Sequence, residues 1–213
     1  MAYLFLVRRQ LGVMKRDDIS EHLVHWIKGD SFDHAFATLR KILKEKRLLG
    51  GTGHIKGGYR CVCFSEAPVH HLGTALMRPT AHGVRWRPFG VMVAKSWLFA
   101  QGGRPVLYQA DEEFSHLPDE MRWRHVRYEP ASSPPVDFSW EREWRTKTDA
   151  LSISPEIARI VLPTDEWFER LGRAHDRDEP YDAQMYELVL GDLAWQMVEA
   201  LPWTAHVLER IGA

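Results

Sequence analysis

Two glutamates in the stretch DFSWEREWRTK, Glu141 and Glu143, lie two residues apart between Trp140 and Trp144. If this stretch is an extended strand, residues two apart project from the same face, so the two carboxyl groups lie side by side. Like charges in that arrangement repel each other. Two interpretations are therefore open: a solvated, ion-paired strand, or a catalytic carboxylate with a second carboxylate that assists it.

His25 is the second candidate for chemistry. It lies in the middle of HLVHWIK, an apolar run that predicts a short buried strand, directly before a predicted helix. A histidine among apolar neighbours is most often a hydrogen-bonded core residue. The sequence around it leaves both a core role and a ligand-contacting role open.

The two cysteines, Cys61 and Cys63, form the sequence CVC in another apolar run. Neighbours two apart on a strand are badly placed for a mutual disulfide, so we expect reduced thiols. His70, His71 and His82 follow, but neither CxxC nor HxxxH spacing occurs, and we expect no metal.

The glycine-rich segment GTGHIKGG, residues 51–58, has neither the P-loop nor the Rossmann spacing, and it follows a helix where a P-loop needs a strand. It is either a loop that flanks a ligand or a plain connector. No G-x-S-x-G sequence occurs, which removes support for α/β-hydrolase chemistry. A metal-dependent nuclease is a third, weaker option, because carboxylate clusters near a lysine are sparse.

The composition is that of a globular protein. The chain has 213 residues, with 45% hydrophobic and 27% charged residues and a net charge of -1, so no overall attraction to nucleic acid or membrane is implied. No apolar run is long enough to span a membrane, and the N-terminal AYLFLV is too short for a secretory signal. We therefore expect a cytoplasmic protein with no membrane partner.

Apolar periodicity and turn residues predict the elements that must position these residues. The most strongly patterned is a helix that begins at Phe32, capped by Asp30 or Ser31, and ends at Gly50. The predicted strands are residues 22–28, 59–64, 89–95, 105–109, 140–145 and 157–163, and the other predicted helices are residues 69–77, 97–100, 110–117, 164–171 and 183–201. This order predicts a single α+β domain over residues 1–213, with a central mixed or antiparallel sheet and a helical C-terminal extension over residues 164–213.

The order of HW at His25, the helix LRKILKEKRLLG, then VCFSEAP and EREWR resembles the ADP-ribosyltransferase-like superfamily. The series CFSEAP, FGVMV, PVLY and EREWR is similar to AbiGi-type abortive-infection proteins and, more distantly, to DarT-type nucleic-acid ADP-ribosyltransferases. The resemblance runs from about His22 to Lys147. It implies an ADP-ribosyltransferase-like fold flanked by helices, NAD as the substrate, a nucleic acid or protein acceptor, and a place in phage defence or a toxin–antitoxin system with a toxin or antitoxin partner.

The resemblance also implies roles for two groups of residues. Glu143 becomes the catalytic carboxylate that stabilises positive charge on the ribose, and Glu141 its helper that orients or deprotonates the acceptor. Arg142 or Arg145 is expected on the opposite face of the strand, in structural ion pairs.

The cofactor-binding residues implied by the resemblance lie on the first two strands. His25 would donate a hydrogen bond to the NAD ribose, Trp26 and Phe64 would lie against the nicotinamide, and Ser65 would supply the polar group of the second strand. The alternative is a non-catalytic binding or antitoxin-like protein of a defence system, in which WEREWR is an ion-paired structural strand.

Overall fold

The computed structural model describes residues 18–77, 86–191 and 200–211, without the side chains of 179–183 and 188–190. The predicted apolar N-terminal run and His82 lie outside these residues. The four helices of the described part are α1 Phe32–Glu45, α2 Val69–Leu76, α3 Lys95–Ala100 and α4 Asp165–Leu190. The strands are β1 His22–Lys28, β2 Arg47–Leu49, β3 Cys61–Ser65, β4 Trp86–Ala94, β5 Arg104–Pro105, β6 Leu107–Gln109, β7 His125–Arg127, β8 Glu143–Lys147, β9 Ala150–Ser152, β10 Ala158–Leu162 and β11 Ala205–Val207.

A seven-stranded sheet organises the fold, in the order β11-β10-β4-β1-β3-β8-β5. β10 and β11 are parallel, whereas the other neighbouring strands in this sheet are antiparallel. Two small sheets, β2 with β9 and β6 with β7, lie beside it. The predicted α+β class with a central mixed sheet is confirmed, and His25 and Glu143 both lie on strands of the central sheet.

Helix α1 forms where the apolar spacing predicts it. The Ser31 side chain caps its first turn by accepting a hydrogen bond from the His34 amide at 3.1 Å. The predicted end at Gly50 is wrong, because Lys46 adopts the left-handed conformation with φ 50° and the next three residues form β2. Pairing of β2 with β9 buries Leu48, which the helical pattern alone does not indicate.

Each face of the central sheet has its own apolar core. Leu23 and Ile27 of β1 pack on the side of α1, whereas Val24 and Trp26 pack with Leu72 of α2 on the other side. This alternation along one strand explains why β1 reads as a nearly continuous apolar run. The central position of β1 therefore holds His25 between two packed layers.

The C-terminal part departs from the prediction in two ways. The predicted break after Leu171 is absent, since α4 continues to Leu190. Contacts with the rest of the fold continue beyond the expected end, because Ala174 is buried and Asp178 forms an ion pair with Arg40 of α1. The predicted helical extension also contains β11, which pairs with β10 in the central sheet. Of the predicted helix over residues 183–201, residues 192–199 lie outside the described part.

Candidate functional site

A cleft of about 820 Å³ opens beside the junction of β1 and β3. The register joins these strands only at Val24 and Ser65, whereas the other edge of β1 pairs with β4 along most of its length. Between the two strands the His25 ring reaches across to the Cys63 carbonyl. The cleft is thus lined by backbone and side chains from both strands, with β8 beyond β3.

All six residues to which the resemblance assigns a catalytic or cofactor-binding role line this one cleft. They are His25, Trp26, Phe64, Ser65, Glu141 and Glu143. Their convergence comes from strand order, because β1, β3 and β8 are consecutive in the sheet and Ser65 is directly opposite Glu143. Residues far apart in sequence therefore contribute to a single surface.

The EREWR stretch is not one continuous strand. Ser139–Glu141 form a 3-10 helix, Arg142 is left-handed with φ 46°, and β8 begins only at Glu143. The prediction that Glu141 and Glu143 share a strand face is therefore wrong. They still face a common cleft, because the turn at Arg142 directs Glu141 back to it.

Glu143 is held by a buried arginine. Arg145 Nε donates to Glu143 Oε1 at 2.8 Å and Arg145 Nη2 donates to Oε2 at 3.1 Å, while the side chains are 4% and 12% exposed. Arg145 Nη1 also donates to the backbone carbonyls of Trp123 and His125. The expectation that Arg145 points to the face opposite Glu143 is wrong, since residues two apart on β8 share a face.

Arg142, the other arginine of the stretch, interacts elsewhere. It lies at the turn, outside any strand, and is paired with Asp18. The two arginines of EREWR therefore have different roles: Arg145 binds the candidate catalytic residue, and Arg142 binds the start of the described chain.

The Glu141 carboxyl has no such partner. Among the described residues, no hydrogen bond or ion pair holds it. Burial, and then the neighbouring Glu143 charge, raise the pKa of Glu141 to about 7, although Lys28 and Arg145 oppose the rise. The cleft thus contains one carboxylate fixed by an arginine and one carboxyl group free to exchange a proton near neutral pH.

The hydrogen bond of His25 sets what its ring can do. Its Nδ1 is 2.8 Å from the Cys63 carbonyl oxygen, which only accepts, so Nδ1 carries the proton. Burial lowers the pKa of His25 and the nearby Lys28 adds to this, although the hydrogen bond to the Cys63 carbonyl opposes the fall. The lowered pKa favours the neutral ring, in which Nε2 bears a lone pair. Towards a ligand, Nε2 of His25 would accept a hydrogen bond rather than donate one.

The aromatic residues of the cleft differ in how much ring they expose. Trp26 and Phe64 are only 5% and 2% exposed, and Phe64 packs edge-on against His25 at 5.8 Å. Phe138, which the sequence analysis did not select, lines the cleft and is 47% exposed. Ring surface for stacking is therefore available on Phe138, in the segment that leads to Glu141, and on the partly exposed Trp86, which also lines the cleft.

Ser65 ties the turn to the sheet. Its hydroxyl donates to the Glu141 carbonyl at 2.7 Å and accepts from the Ala67 amide at 3.2 Å, and the residue is 3% exposed. These bonds place Glu141 at the end of β3. Ser65 thus positions a candidate catalytic residue through its backbone.

Replacing Ser65 by Ala is expected to lower the free energy of unfolding by about 1–2 kcal/mol, because two partly buried backbone groups, the Glu141 carbonyl and the Ala67 amide, lose their partner. Urea denaturation measures this loss. Ser152→Ala, at an exposed position on β9, is the matched control and should change stability by less than about 0.5 kcal/mol. Equal stabilities of the two variants would contradict the positioning role.

The glycine-rich loop lies at the cleft. Gly51, Gly53, His54 and Ile55 all line it, and a smaller cavity of about 350 Å³ shares His54 and Ile55 as well as Arg127. Of the two interpretations of this segment, its location fits a loop that flanks a ligand. Lys28 and Arg127 add cationic groups to the same cleft.

Tyr108 is a further residue that the sequence did not indicate. Its hydroxyl oxygen accepts a hydrogen bond from the Glu143 amide at 3.0 Å, and burial raises the pKa of Tyr108 to about 12. No local signal identifies it, because β6 and β8 are far apart in sequence. Arg145, in contrast, is identifiable from its spacing of two residues from Glu143.

The cysteines are free thiols on β3. Burial, followed by the Glu143 charge, raises the pKa of Cys63, which makes it a poor nucleophile. Within the described ranges no group of three or more histidine, cysteine, aspartate or glutamate side chains is arranged to hold a metal ion. Among the same residues, no helix has the length and apolar character needed to cross a membrane.

Comparison with known proteins adds no relative. No family model, curated protein or solved structure matches the chain.

Proposed function

We propose that the protein is an ADP-ribosyltransferase-like enzyme that cleaves NAD and transfers ADP-ribose to a nucleic acid or protein acceptor, in phage defence or a toxin–antitoxin system. The observation that carries the proposal is the convergence of His25, Ser65, Glu141 and Glu143 on one cleft of about 820 Å³. The order of motifs along the chain is the basis for the proposed family, and a toxin or antitoxin partner is part of the same proposal.

The carboxyl groups of Glu143 and Glu141 have different roles in the proposed reaction. Loss of nicotinamide develops positive charge on the ribose, and the Glu143 carboxylate, which Arg145 binds, would hold the sugar and stabilise that charge. The positive charge of Arg145 offsets part of the negative charge of Glu143. The electrostatic stabilisation that Glu143 can give to the ribose is therefore smaller than that of a free carboxylate. Glu141, unpaired and with a pKa of about 7, suits removal of a proton from the incoming acceptor.

The direct test is incubation of the purified protein with NAD labelled in the ADP-ribose moiety and a mixture of nucleic acid and protein acceptors. We expect label on one acceptor class, lost in Glu141→Gln and retained in Glu112→Gln, an exposed glutamate of the 3-10 helix Asp111–His116 that does not line the cleft. Labelling that is absent from wild type, or unchanged in Glu141→Gln, would contradict the assignment.

The pH dependence follows from the pKa of Glu141. A general base must be deprotonated, so we expect acceptor labelling to rise with pH and to level off above about 7. Initial rates across the pH range measure this profile. A profile that is flat through neutrality would mean that Glu141 takes no proton.

The second candidate is a non-catalytic binding or antitoxin-like protein. It is favoured by a specific observation: Glu143 is bound on both oxygens by Arg145, as expected of a structural strand. Under this alternative the cleft binds a ligand without consuming it. NAD that binds but is recovered intact after incubation with all acceptors would support this candidate.

A further inference from the structure

Basic side chains collect on the sheet face that α2 covers. The strand register places Val24, Met92 and Arg159 directly opposite one another on β1, β4 and β10, so they share a face. His22 lies two residues before Val24, and Val161, two residues after Arg159, is paired with His206. The set comprises His22 of β1, His70 and His71 of α2, Arg159 of β10 and His206 of β11.

The electrostatic environment of this basic face is positive. Burial lowers the pKa of His206, and Arg159, His22 and His70 each lower it further. The His70 and His71 rings are 4.1 Å apart between centroids. The acidic groups of the adjoining segment are engaged elsewhere: Glu209 accepts from the Asp165 amide, and Asp165 forms an ion pair with Arg210.

None of these five side chains has a hydrogen bond or an ion pair within the described part of the chain. The His206 Nε2 atom is buried and without a partner. An orphaned ring nitrogen costs free energy, and it is explained where an ion or another polar group completes the site. Within the described residues the charge of Arg159 has no ionic partner, so this face can accept an anion.

We propose that the basic face binds a phosphate-type oxyanion, supplied either by a free phosphate or by the backbone of a nucleic acid. Arg159 provides the permanent charge and a planar, bidentate donor. His206 adds positive charge only in acid, because burial and then the neighbouring Arg159 lower its pKa. Binding therefore tightens as the pH falls. This site is separate from the carboxyl groups of the cleft and does not depend on the proposed use of NAD.

The test is isothermal titration of the full chain with inorganic pyrophosphate at pH of about 5 and about 7.8, the lower value being well below the usual histidine pKa. We expect affinity to fall by about tenfold or more at the higher pH, since the positive charge of His206 is lost. Arg159→Ala should abolish binding at both pH values. Arg173→Ala, an exposed arginine of α4 paired with Glu169, is the matched control and should bind as wild type.

A single-stranded oligonucleotide titrated in parallel distinguishes the sources. Oligonucleotide binding that Arg159→Ala removes assigns the backbone phosphate, whereas pyrophosphate binding alone assigns a free phosphate. If thermal melting shows that Arg159→Ala is unfolded, His206→Gln replaces it and should flatten the pH dependence. No pyrophosphate binding at the lower pH, or binding that neither variant changes, overturns the proposal. Because Arg159 lies outside the cleft, labelling from NAD in Arg159→Ala reports on the proposed function separately.

Discussion

Glu143→Gln is expected to lower the free energy of unfolding by about 3–5 kcal/mol, the usual cost of breaking a buried ion pair from one side. The Arg145 side chain is 4% exposed, and its charge has Glu143 as its ionic partner. Glutamine offers one acceptor oxygen and turns an NH₂ group towards a guanidinium that only donates. The variant thus leaves a buried charge without compensation and one donor without an acceptor.

Urea denaturation of wild type, Glu143→Gln and the control Glu112→Gln measures this effect. A double-mutant cycle with Arg145→Met isolates the pair: in the Arg145→Met background, Glu143→Gln should cost much less. If Glu143→Gln instead melts at or above the wild-type temperature, the carboxylate is a strained functional group rather than a stabilising one. Because a large loss is expected, loss of labelling in Glu143→Gln alone does not identify the catalytic residue.

The sequence predicts most of what is local in this fold. The run HLVHWIK forms β1 because its alternating residues pack on both faces of a central strand. The spacing from Phe32 forms α1 because its apolar side lies on that sheet, with Ser31 as its cap. The position of His25 on a strand of the central sheet is therefore predictable from short-range sequence patterns alone.

What the sequence did not predict depends on contacts between distant segments. Alternation of faces holds only inside a strand, and the stretch around Glu141 leaves the strand because Arg142 turns and the Ser65 hydroxyl binds the Glu141 carbonyl. The pairing of β11 with β10 likewise joins segments more than forty residues apart, which no local pattern encodes. The unpaired state of Glu141, on which its proposed chemistry depends, follows from these distant contacts.

Glu141→Gln is expected to reduce acceptor labelling by about 100-fold or more, the usual contribution of a general base, while making the protein more stable in mild alkali. The pKa of Glu141 is raised from its ordinary value to about 7 in the folded protein. At pH values between the two, the folded protein therefore holds a proton on Glu141 that the unfolded chain has released. Stability from this group is therefore present below the ordinary glutamate range and is lost as the pH rises through about 7. Above that pH the wild-type protein holds a poorly solvated charge beside Glu143.

A neutral isostere removes that cost. We expect Glu141→Gln to gain on the order of 2 kcal/mol at pH of about 8, less than the full pKa shift because water still screens a half-buried carboxyl. Near pH of about 4.5 the two proteins should become similar, since Glu141 is then protonated in the folded wild type. Urea denaturation at both pH values measures the difference, with Glu112→Gln as control. A Glu141→Gln variant that is less stable than wild type at the higher pH would show that the carboxylate has a stabilising partner. That result would contradict the role of Glu141 as the free base. A variant that is more stable and inactive separates chemistry from folding, which Glu143→Gln cannot do.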